Sequence, residues 1–365
     1  MMKTITWITA DYMLQVDLPI LHKLKDIYTI RWIVYTSETS DKKKTALEYA
    51  HKYGIDITFY CIKGHRYSPL TYWEYDQQMK AISKRNSDVY YFDIIAFPYL
   101  LFAIKKNISH NKVIMAMHHG HIHNGMQMRY IYKYYLSYLC KQSFSFQYYS
   151  QTQAKYFAGD SKRCFVIPLA LNDFGSSNSY PPENYVQFLS FGNIIPTKNI
   201  ELLIHAACKV REMIDHPFKI KIVGHCRNWN NVYQPLIKYP DIFDLHIESV
   251  PDKDIPILFS SSHFLVLPYK SVTQSGPLRI AYGYNLPVIA SDLEGFKESI
   301  VDGSTGLLFK TESVDSLANI LISVIMNHPN NYNEIREKQR KYIENNISQE
   351  VIISQYIRMF NSLLQ

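Results

Sequence analysis

The segment 270–309 (KSVTQSGPLRIAYGYNLPVIASDLEGFKESIVDGSTGLLF) constrains the fold of this chain more than any other segment. It contains a polar turn at residues 273–276, a predicted helix that starts at Pro277 and a predicted strand at 287–291. Proline is favoured in the first turn of a helix because its missing N–H would have no partner there. Asn285 is expected to end the helix in a left-handed conformation. Since free amides at a helix start attract phosphate, we predict an anion-binding site before this helix.

Length and the alternation of predicted elements indicate two α/β domains. A chain of 365 residues is long for a single hydrophobic core. Predicted strands and helices alternate before and after the polar segment 173–184 (DFGSSNSYPPEN), which is typical of a linker. Such alternation favours parallel sheets with helices on both faces. We predict an N-terminal domain at 1–178, a C-terminal domain at 179–345 and a helical segment at 346–365 that crosses back to the N-terminal domain.

Composition argues against several classes of protein. No run of about 18 apolar residues is present, so no membrane-spanning helix is predicted. The segment MMKTITWITADYM is expected to be a first strand rather than a signal peptide. The 5 cysteines include no CxxC pair, which argues against a zinc site or a disulfide framework. A cytoplasmic, reducing location is therefore expected.

Positive charge is concentrated in the N-terminal half. Residues 1–180 hold 22 Lys and Arg against 13 Asp and Glu, a net +9, whereas residues 181–365 hold 17 against 19, a net −2. A basic half can hold an anionic acceptor or contact an anionic membrane peripherally, and ordinary solubility is the alternative. The Tyr-rich segment 129–141 (RYIYKYYLSYLCK) is either an interfacial helix or a buried helix of the outer layer. No nucleic-acid-binding module is recognisable.

The segment 192–199 (GNIIPTKN) offers a cation beside a predicted helix. Gly192 follows a predicted strand and lets the backbone approach a ligand. Lys198 is predicted in the first turn of the next helix, with Thr197 as its N-cap. A lysine at this place would neutralise a diphosphate while helix amides donate hydrogen bonds to it. The alternative is a solvated lysine that binds nothing.

The order of these segments resembles one family. Segments 190–207 (SFGNIIPTKNIELLIHAA), 218–226 (FKIKIVGHC), 260–269 (SSSHFLVLPY) and 270–309 resemble the C-terminal domain of GT-B glycosyltransferases, in particular the retaining family four. The resemblance is good over residues 164–309 and loose before them. It implies two doubly wound, Rossmann-like α/β domains with parallel sheets that face a central cleft. It also implies a nucleotide-diphosphate sugar bound by the C-terminal domain, an acceptor bound by the N-terminal domain, and no metal.

This chain departs from the family pattern at three positions. Asn193 stands where the family has an arginine, and Val272 and Ile280 stand where many members have two glutamates. The absence of both glutamates resembles the subset of the family with a TQSG-type loop. For that subset, the resemblance implies contacts to the donor sugar and diphosphate from Thr273, Gln274, Ser275 and Gly276.

Several further residues complete the predicted donor site. By the resemblance, Glu298 binds the ribose hydroxyls, with an ordinary exposed helix residue as the alternative, and Val250 lies where the family backbone contacts the base. Arg279 and Arg227 are candidates for the missing phosphate cation. The nucleotide is expected to be UDP or GDP, and no cofactor besides this donor substrate is expected. The donor-binding set also includes Gly192, Asn193 and Lys198.

A histidine cluster marks the N-terminal half. His118, His119, His121 and His123 (MHHGHIHNG) follow a predicted strand, and no carboxylate stands at ligand spacing, which argues against a metal site. By the resemblance, His118 or His119 faces the donor sugar and supports an oxocarbenium-like transition state. A structural role and metal binding are the alternatives. Lys198, which would stabilise the leaving group, completes the predicted catalytic set.

The residues and the resemblance together predict a glycosyltransferase of the hexosyltransferase type. It would transfer a sugar, with retention, to a glycan or lipid-linked acceptor in bacterial surface polysaccharide biosynthesis. One alternative is an epimerase or hydrolase of the same shape, although such enzymes need carboxylates in the site. Another alternative is a non-catalytic protein that binds nucleotide sugars. The base, the sugar, the acceptor and the linkage are not determined by the sequence.

Overall fold

A computed structural model of the protein describes residues 2–65, 68–94, 99–117, 129–155, 163–172, 174–272 and 274–364. The chain forms two compact units. Unit 1 comprises Met1–Ala170 together with Gln349–Gln365, and unit 2 comprises Leu171–Ser348. The assignment of acceptor binding to residues 1–178 and donor binding to 179–345 stays a prediction.

Unit 1 contains a parallel sheet that has seven strands among the described residues, in the order β3-β2-β1-β4-β5-β6-β7. The strands are β1 (Thr4–Ala10), β2 (Thr29–Tyr35), β3 (Asp56–Tyr60), β4 (Val89–Asp93), β5 (Val113–Met117), β6 (Ser145–Tyr148) and β7 (Cys164–Val166). The helices are α1 (Leu14–Leu24), α2 (Asp41–Tyr53), α3 (Pro69–Lys84), α4 (Tyr99–Asn107), α5 (Arg129–Cys140), α6 (Gln151–Ala154) and the final helix α14 (Gln349–Leu364).

Aromatic side chains fill one side of this sheet. Trp7 of β1 lies beside Tyr91 of β4, with ring centroids 4.1 Å apart. Tyr356 of α14 packs on Trp7 at 5.7 Å, and Phe360 of α14 packs on Tyr91 at 5.9 Å. All four side chains are buried, as expected for a parallel sheet that is covered on both faces. The C-terminal helix is therefore part of the unit 1 core.

Unit 2 contains a second parallel sheet, with the order β10-β9-β8-β11-β12-β13 in the part of the chain that the structure describes. Its strands are β8 (Val186–Phe191), β9 (Phe218–Val223), β10 (Phe243–His246), β11 (Phe264–Leu267), β12 (Val288–Ser291) and β13 (Gly306–Phe309). Its helices are α7 (Ile200–Met213), α8 (Trp229–Val232), α9 (Ile255–Ser260), α10 (Gly276–Gly283), α11 (Glu294–Lys297), α12 (Val314–Met326) and α13 (Asn330–Asn346).

Local sequence explains where the helices of unit 2 begin and end. Ser275 caps α10 by accepting a hydrogen bond from the amide of Leu278 at 3.3 Å, and Ser313 caps α12 in the same way. Asn285 adopts φ +49°, so the predicted left-handed residue after α10 is confirmed. The predicted N-cap of α7 is wrong, because residues 196–198 form a 3-10 turn and Asn199, at φ +52°, precedes the helix. Asparagine tolerates this conformation better than most residues.

Both sheets have the doubly wound strand order, which confirms the predicted fold class. Among the described residues, no helix has the length and apolar character needed to cross a bilayer.

Candidate functional site

The strand order of unit 2 reverses between β8 and β11. From β8 the sheet continues through β9 to β10, and from β11 it continues in the other direction to β12 and β13. The loops that leave the carboxyl ends of β8 and β11 therefore diverge and leave a crevice between them. Ligands of open α/β sheets bind at this kind of position. The two loops carry Lys198 and Ser275, which the sequence singles out.

Two glycines hold the loop after β8 in place. Gly192 has φ +107° and Gly224 has φ +150°, both unfavourable for other residues. A Cβ on Gly224 would lie 2.1 Å from the carbonyl oxygen of Gly192, and a Cβ on Gly192 would lie 3.6 Å from Cγ of Pro277. The loop after β8 is thus packed between the end of β9 and the first turn of α10. Sequence reasoning identified Gly192 but missed Gly224.

A third loop joins this group through another close approach. A Cβ on Gly295, in α11, would lie 2.9 Å from the carbonyl oxygen of Val272. The segment after β12 therefore packs directly against the loop that leads into α10. Since β8, β11 and β12 are parallel, the loops after all three strands lie at the same edge of the sheet. This edge brings together Lys198, Ser275 and Glu298.

The start of α10 presents few but well-defined donors. Pro277 has no N–H, and the Ser275 hydroxyl already accepts from the amide of Leu278. The amides of Ser275 and Gly276 are then the donors that neither the helix nor its capping hydroxyl uses. Ser275 is buried and Gly276 is exposed, so the helix start opens towards solvent at Gly276. An oxyanion at this position would meet two amides and the positive end of the helix dipole.

Lys198 has an environment that favours a bound anion. Its Nζ atom lies 3.7 Å from the centroid of the Tyr269 ring. Burial lowers the pKa of Lys198 to about 8, whereas the ring face attracts the charged form. Tyr269 is buried, and burial raises the pKa of its hydroxyl well above the usual range. A desolvated ammonium of this kind gains more from a nearby anion than a solvated one does.

The neighbouring Lys270 is engaged elsewhere. Its Nζ atom lies 2.8 Å from a carboxylate oxygen of Glu201 in α7. Its backbone amide donates to the carbonyl of Thr197 at 2.9 Å, which ties the loop after β11 to the loop after β8. Glu201 thus balances the charge of Lys270, whereas the ion pairs of the described residues do not include Lys198.

Two polar groups near α10 are shielded from solvent. Nε2 of Gln274 and Nη1 of Arg279 are buried and have no hydrogen-bond partner among the described residues. Burial lowers the pKa of Arg279 below its usual range, and Tyr282, Tyr342 and Glu298 oppose this change. These three residues, from α10, α13 and the end of α11, are therefore near enough to the guanidinium of Arg279 to affect its charge. The guanidinium is a candidate partner for Glu298 rather than an open phosphate cation.

The remaining predicted site residues differ in how they are placed. Asn193 and Arg227 are exposed, on the loops after β8 and β9, and Val250 is half-buried after β10. Glu298 follows α11 directly. The predicted residues Thr273, His118 and His119 lie outside the described residues. Within the described ranges, no group of three or more His, Cys, Asp or Glu residues could hold a metal ion.

Unit 1 has a buried carboxyl pair at its own strand-order reversal, between β1 and β4. Asp17 and Asp93 are both fully buried, and Asp17 accepts a hydrogen bond from Nε1 of Trp7 at 2.9 Å. Burial and the charge of Asp93 raise the pKa of Asp17 well above its usual range. Sequence reasoning did not identify this pair, because neither residue belongs to a recognisable motif.

Several solved structures share the fold of this chain. Over its full length the chain resembles the crystal structure of a glycosyltransferase from Rickettsia africae, with a TM-score of 0.80, 18% identity, and coverage of 100% of this chain and 99% of that one. It also resembles Anabaena HepE in complex with UDP and glucose, with a TM-score of 0.73, 14% identity, and coverage of 99% and 100%. The chain also resembles the apo form of the lipopolysaccharide outer core galactosyltransferase WaaB. The TM-score is 0.72, the identity is 16%, and the match covers 98% of this chain and 99% of that one. The fold is therefore GT-B.

Residues 173–348 match the family "Glycosyl transferases group 1". Nearly all of unit 2 thus resembles the glycosyltransferases of this group, in agreement with the enzyme class predicted from the sequence. The finer resemblance, to the retaining family four and its TQSG-loop subset, stays a prediction.

Two curated relatives match shorter parts of the chain. An uncharacterized 41.2 kDa protein in the cps region of Klebsiella pneumoniae is 26% identical over 113 residues, 31% of each chain. An uncharacterized glycosyltransferase of Methanocaldococcus jannaschii is 23% identical over 184 residues, 50% of this chain and 46% of the relative. The chain thus matches about a third and about a half of the lengths of these two relatives.

Proposed function

We propose that this protein is a glycosyltransferase that transfers a sugar from a nucleotide-diphosphate sugar to a glycan or lipid-linked acceptor. The observation that carries the proposal is that the loop after β8, which carries Lys198, packs near Pro277 of α10 at the strand-order reversal of unit 2. A desolvated ammonium and two amides at a helix start would together bind a diphosphate. The group 1 glycosyltransferase match over the same unit supports this interpretation.

The proposed reaction develops negative charge on the leaving diphosphate, beside Lys198 and the start of α10. The bond between the anomeric carbon and the diphosphate oxygen breaks, and its electron pair stays with the nucleoside diphosphate. A bond forms between the anomeric carbon and an acceptor hydroxyl oxygen, and the proton of this hydroxyl passes to the leaving diphosphate. Lys198 and the amides of Ser275 and Gly276 would stabilise the leaving diphosphate. Donors that are already oriented contribute most to such stabilisation, because they need little rearrangement during the reaction.

The other predicted residues have supporting roles in this proposal. Gln274, whose Nε2 atom is buried without a partner among the described residues, would donate to the donor sugar or diphosphate. Glu298 would accept from the ribose hydroxyls, and Val250 would lie beside the base. Gly192 and Asn193 would contact the diphosphate through the loop after β8. Thr273 would contact the donor from the loop before α10, and His118 or His119 would contact the donor sugar.

The setting of the reaction is also part of the proposal. UDP or GDP is the proposed carrier, and HepE, a protein of the same fold, has been crystallised with UDP and glucose. Retention of configuration, the absence of a metal and acceptor binding in the N-terminal half follow from the family resemblance. A role in bacterial surface polysaccharide biosynthesis is supported by the relative in a cps region and by the likeness to WaaB. The proposed location is cytoplasmic, with peripheral contact with the inner face of the membrane.

The donor site is tested by ligand-induced stabilisation. UDP-, GDP- and other nucleotide sugars are screened for an increase in melting temperature, because a ligand that binds only the folded state raises it. Lys198→Met should remove most of the increase given by the best donor. Lys209→Ala is the matched control, since Lys209 is a surface lysine of the same unit that pairs with Asp315. Stabilisation that survives Lys198→Met would exclude Lys198 from the site, and the absence of any stabilising donor would contradict the proposed function.

A further inference from the structure

Unit 1 exposes large apolar side chains on three helices of one sheet face. They lie on α3, α4 and α5, and their exposed fractions are Leu70 69%, Trp73 61%, Phe102 48%, Tyr134 77% and Tyr138 40%. Single exposed apolar residues are normal on soluble proteins, but a contiguous group marks an interaction site. We refer to these five residues as the aromatic face.

Contacts between the helices make the aromatic face continuous. Lys106 of α4 pairs with Asp76 of α3 at 2.8 Å, and Asn107 donates to the same carboxylate. Lys105 of α4 donates to the hydroxyl of Tyr138 in α5 and lies 4.7 Å from the centroid of its ring. Helix α4 therefore contacts both α3 and α5. The three helices that carry the exposed apolar side chains therefore form one continuous layer on this face of the sheet.

The sequence around this surface is basic and contains almost no acid. From Ile94 to Gly159 there is no Asp or Glu, while the same stretch holds Lys105, Lys106, Lys112, Arg129, Lys133, Lys141 and Lys155. The two acids of α3 are both engaged. Glu74 accepts from the amides of Lys63 and Gly64, and Asp76 pairs with Lys106.

Lysines also extend the outward stripe of α3. Leu70, Trp73, Lys80 and Lys84 are exposed at helical spacing, so apolar side chains occupy the first half of the stripe and ammonium groups the second. Lys133 and Lys141 are exposed in and after α5. Tryptophan and tyrosine favour the headgroup region of a bilayer, and lysine is attracted to anionic lipid.

We propose that the aromatic face docks unit 1 onto a membrane that contains anionic lipid. The aromatic side chains enter the headgroup region, and the lysines of α3 and α5 contact lipid phosphates. The mode of attachment is peripheral, through side chains of three helices. It gives a specific surface to the membrane contact of the proposed function. Of the two interpretations of the Tyr-rich segment, the proposal favours the interfacial helix. Leu139 and Cys140 face the core, whereas Tyr134 faces outwards.

Tryptophan fluorescence of the full chain tests this surface directly. The chain has 4 tryptophans, and Trp7, Trp32 and Trp229 are buried while Trp73 is exposed. Vesicles of phosphatidylcholine with about one-third phosphatidylglycerol should shift the emission to the blue and protect it from acrylamide. Vesicles of phosphatidylcholine alone should give a much smaller change. Trp73→Phe should abolish the shift while the protein still sediments with the anionic vesicles.

A second pair of variants measures the contribution of the aromatic face to binding. Leu70→Ser with Trp73→Ser should weaken binding to sedimented anionic vesicles about tenfold or more. The two serines would not gain the free energy that the leucine and tryptophan side chains gain when they leave water for the bilayer. The matched control is Tyr180→Ser with Ile257→Ser, which removes two exposed apolar side chains from unit 2 and should leave binding unchanged. Because all four side chains are exposed, melting temperatures should stay close to that of the wild type.

Several results would overturn the proposal. They are equal vesicle binding by both double variants, no binding by the wild type, or a wild-type dimer that Leu70→Ser with Trp73→Ser dissociates. Binding of a soluble acidic polysaccharide through this face, with no binding to vesicles, would also overturn it. Donor-induced stabilisation is measured on the same samples. If donors stabilise the protein but vesicles do not bind, only the proposed membrane surface is refuted. If vesicles bind but no donor stabilises the protein, only the proposed donor site is refuted.

Discussion

The protonation of Lys198 gives the sharpest prediction about the donor site. In the free protein, burial lowers the pKa of Lys198 to about 8. A donor diphosphate favours the charged ammonium, so binding above this pKa requires the uptake of a proton. Donor affinity should therefore fall as the pH rises through 8, whereas a lysine with an ordinary pKa would give no change there.

The size of this effect follows from the pKa. With a pKa of about 8, the charged fraction of Lys198 is about 0.97 at pH 6.5 and about 0.24 at pH 8.5. The dissociation constant Kd of a nucleotide sugar should thus be about fourfold higher at pH 8.5 than at pH 6.5. A lysine with a pKa of about 10.4 would stay almost fully charged over this range and give a constant Kd.

Isothermal titration calorimetry of the best donor at several pH values measures this dependence. Lys198→Arg keeps its charge throughout the range and should give a flat profile, as should the uncharged Lys198→Met. Lys198→Met should also bind about ten- to a hundredfold more weakly at pH 6.5, because it loses a charge-assisted hydrogen bond. In buffers with different ionisation enthalpies, the wild type should take up about half a proton on binding at pH 8.

The reasoning fails if the wild-type profile is flat while Lys198→Met still binds weakly, because Lys198 would then bind the donor with an ordinary pKa. It also fails if Lys198→Met binds as well as the wild type at pH 6.5. A profile that falls equally in the wild type and in Lys198→Arg would assign the titration to a different group.

Three further changes test other parts of the structure. Gly224→Ala should lower the free energy of unfolding by about 2 kcal/mol or more and weaken donor binding, because its Cβ would lie 2.1 Å from the carbonyl oxygen of Gly192. Urea unfolding measures the stability and calorimetry measures the donor affinity. A variant as stable as the wild type would refute the close approach. Ser275→Ala should lower the free energy of unfolding by about 1 kcal/mol, because α10 loses its N-cap hydrogen bond. Ser275→Asn can still cap the helix and should lower it less. Equal urea-unfolding midpoints for the two variants would refute the capping role. Because the pKa of Asp17 is raised in the folded state, its contribution to stability is present below the ordinary carboxyl pKa and is lost as the pH rises through the folded-state pKa. Asp17→Asn keeps an acceptor for the indole N–H of Trp7, should flatten this pH dependence and should be more stable than the wild type at pH 8. Urea unfolding at pH 5 and pH 8 measures the change. If the free energy of unfolding depends on pH as it does in the wild type, Asp17 is already ionised in the folded protein.

Most of the fold of unit 2 could be predicted from local patterns. The run from Ser275 to Ser291 predicted a helix that starts at its proline, a left-handed asparagine and a strand, and the structure has these elements in this order. Each of these features depends on residues that are close in the chain. The start of α7 was misplaced for the same reason, because a 3-10 turn at residues 196–198 and an αL asparagine cannot be told from a capped helix start by spacing alone.

The environment of the site depended on residues that are far apart in the sequence. Lys198 and Tyr269 are separated by 71 positions, yet their contact brings the desolvated ammonium against an aromatic ring. Gly295 matters because the carbonyl oxygen of Val272 lies against it, and Gly224 because the carbonyl oxygen of Gly192 does. None of these contacts leaves a pattern in the sequence, since a glycine in a loop has many local explanations.

The sequence by itself determined the alternation of strands and helices in two α/β domains, and it predicted an anion site before the helix that follows the TQSG loop. These properties follow from short-range periodicity, capping and proline placement, which act within one or two turns of chain. The tertiary structure alone decided that burial lowers the pKa of Lys198, that Glu201 engages Lys270, and that apolar side chains of three separate helices meet on one surface. Burial, pairing and surface continuity depend on which distant segments the fold brings together, because desolvation and Coulomb interactions act through space rather than along the chain.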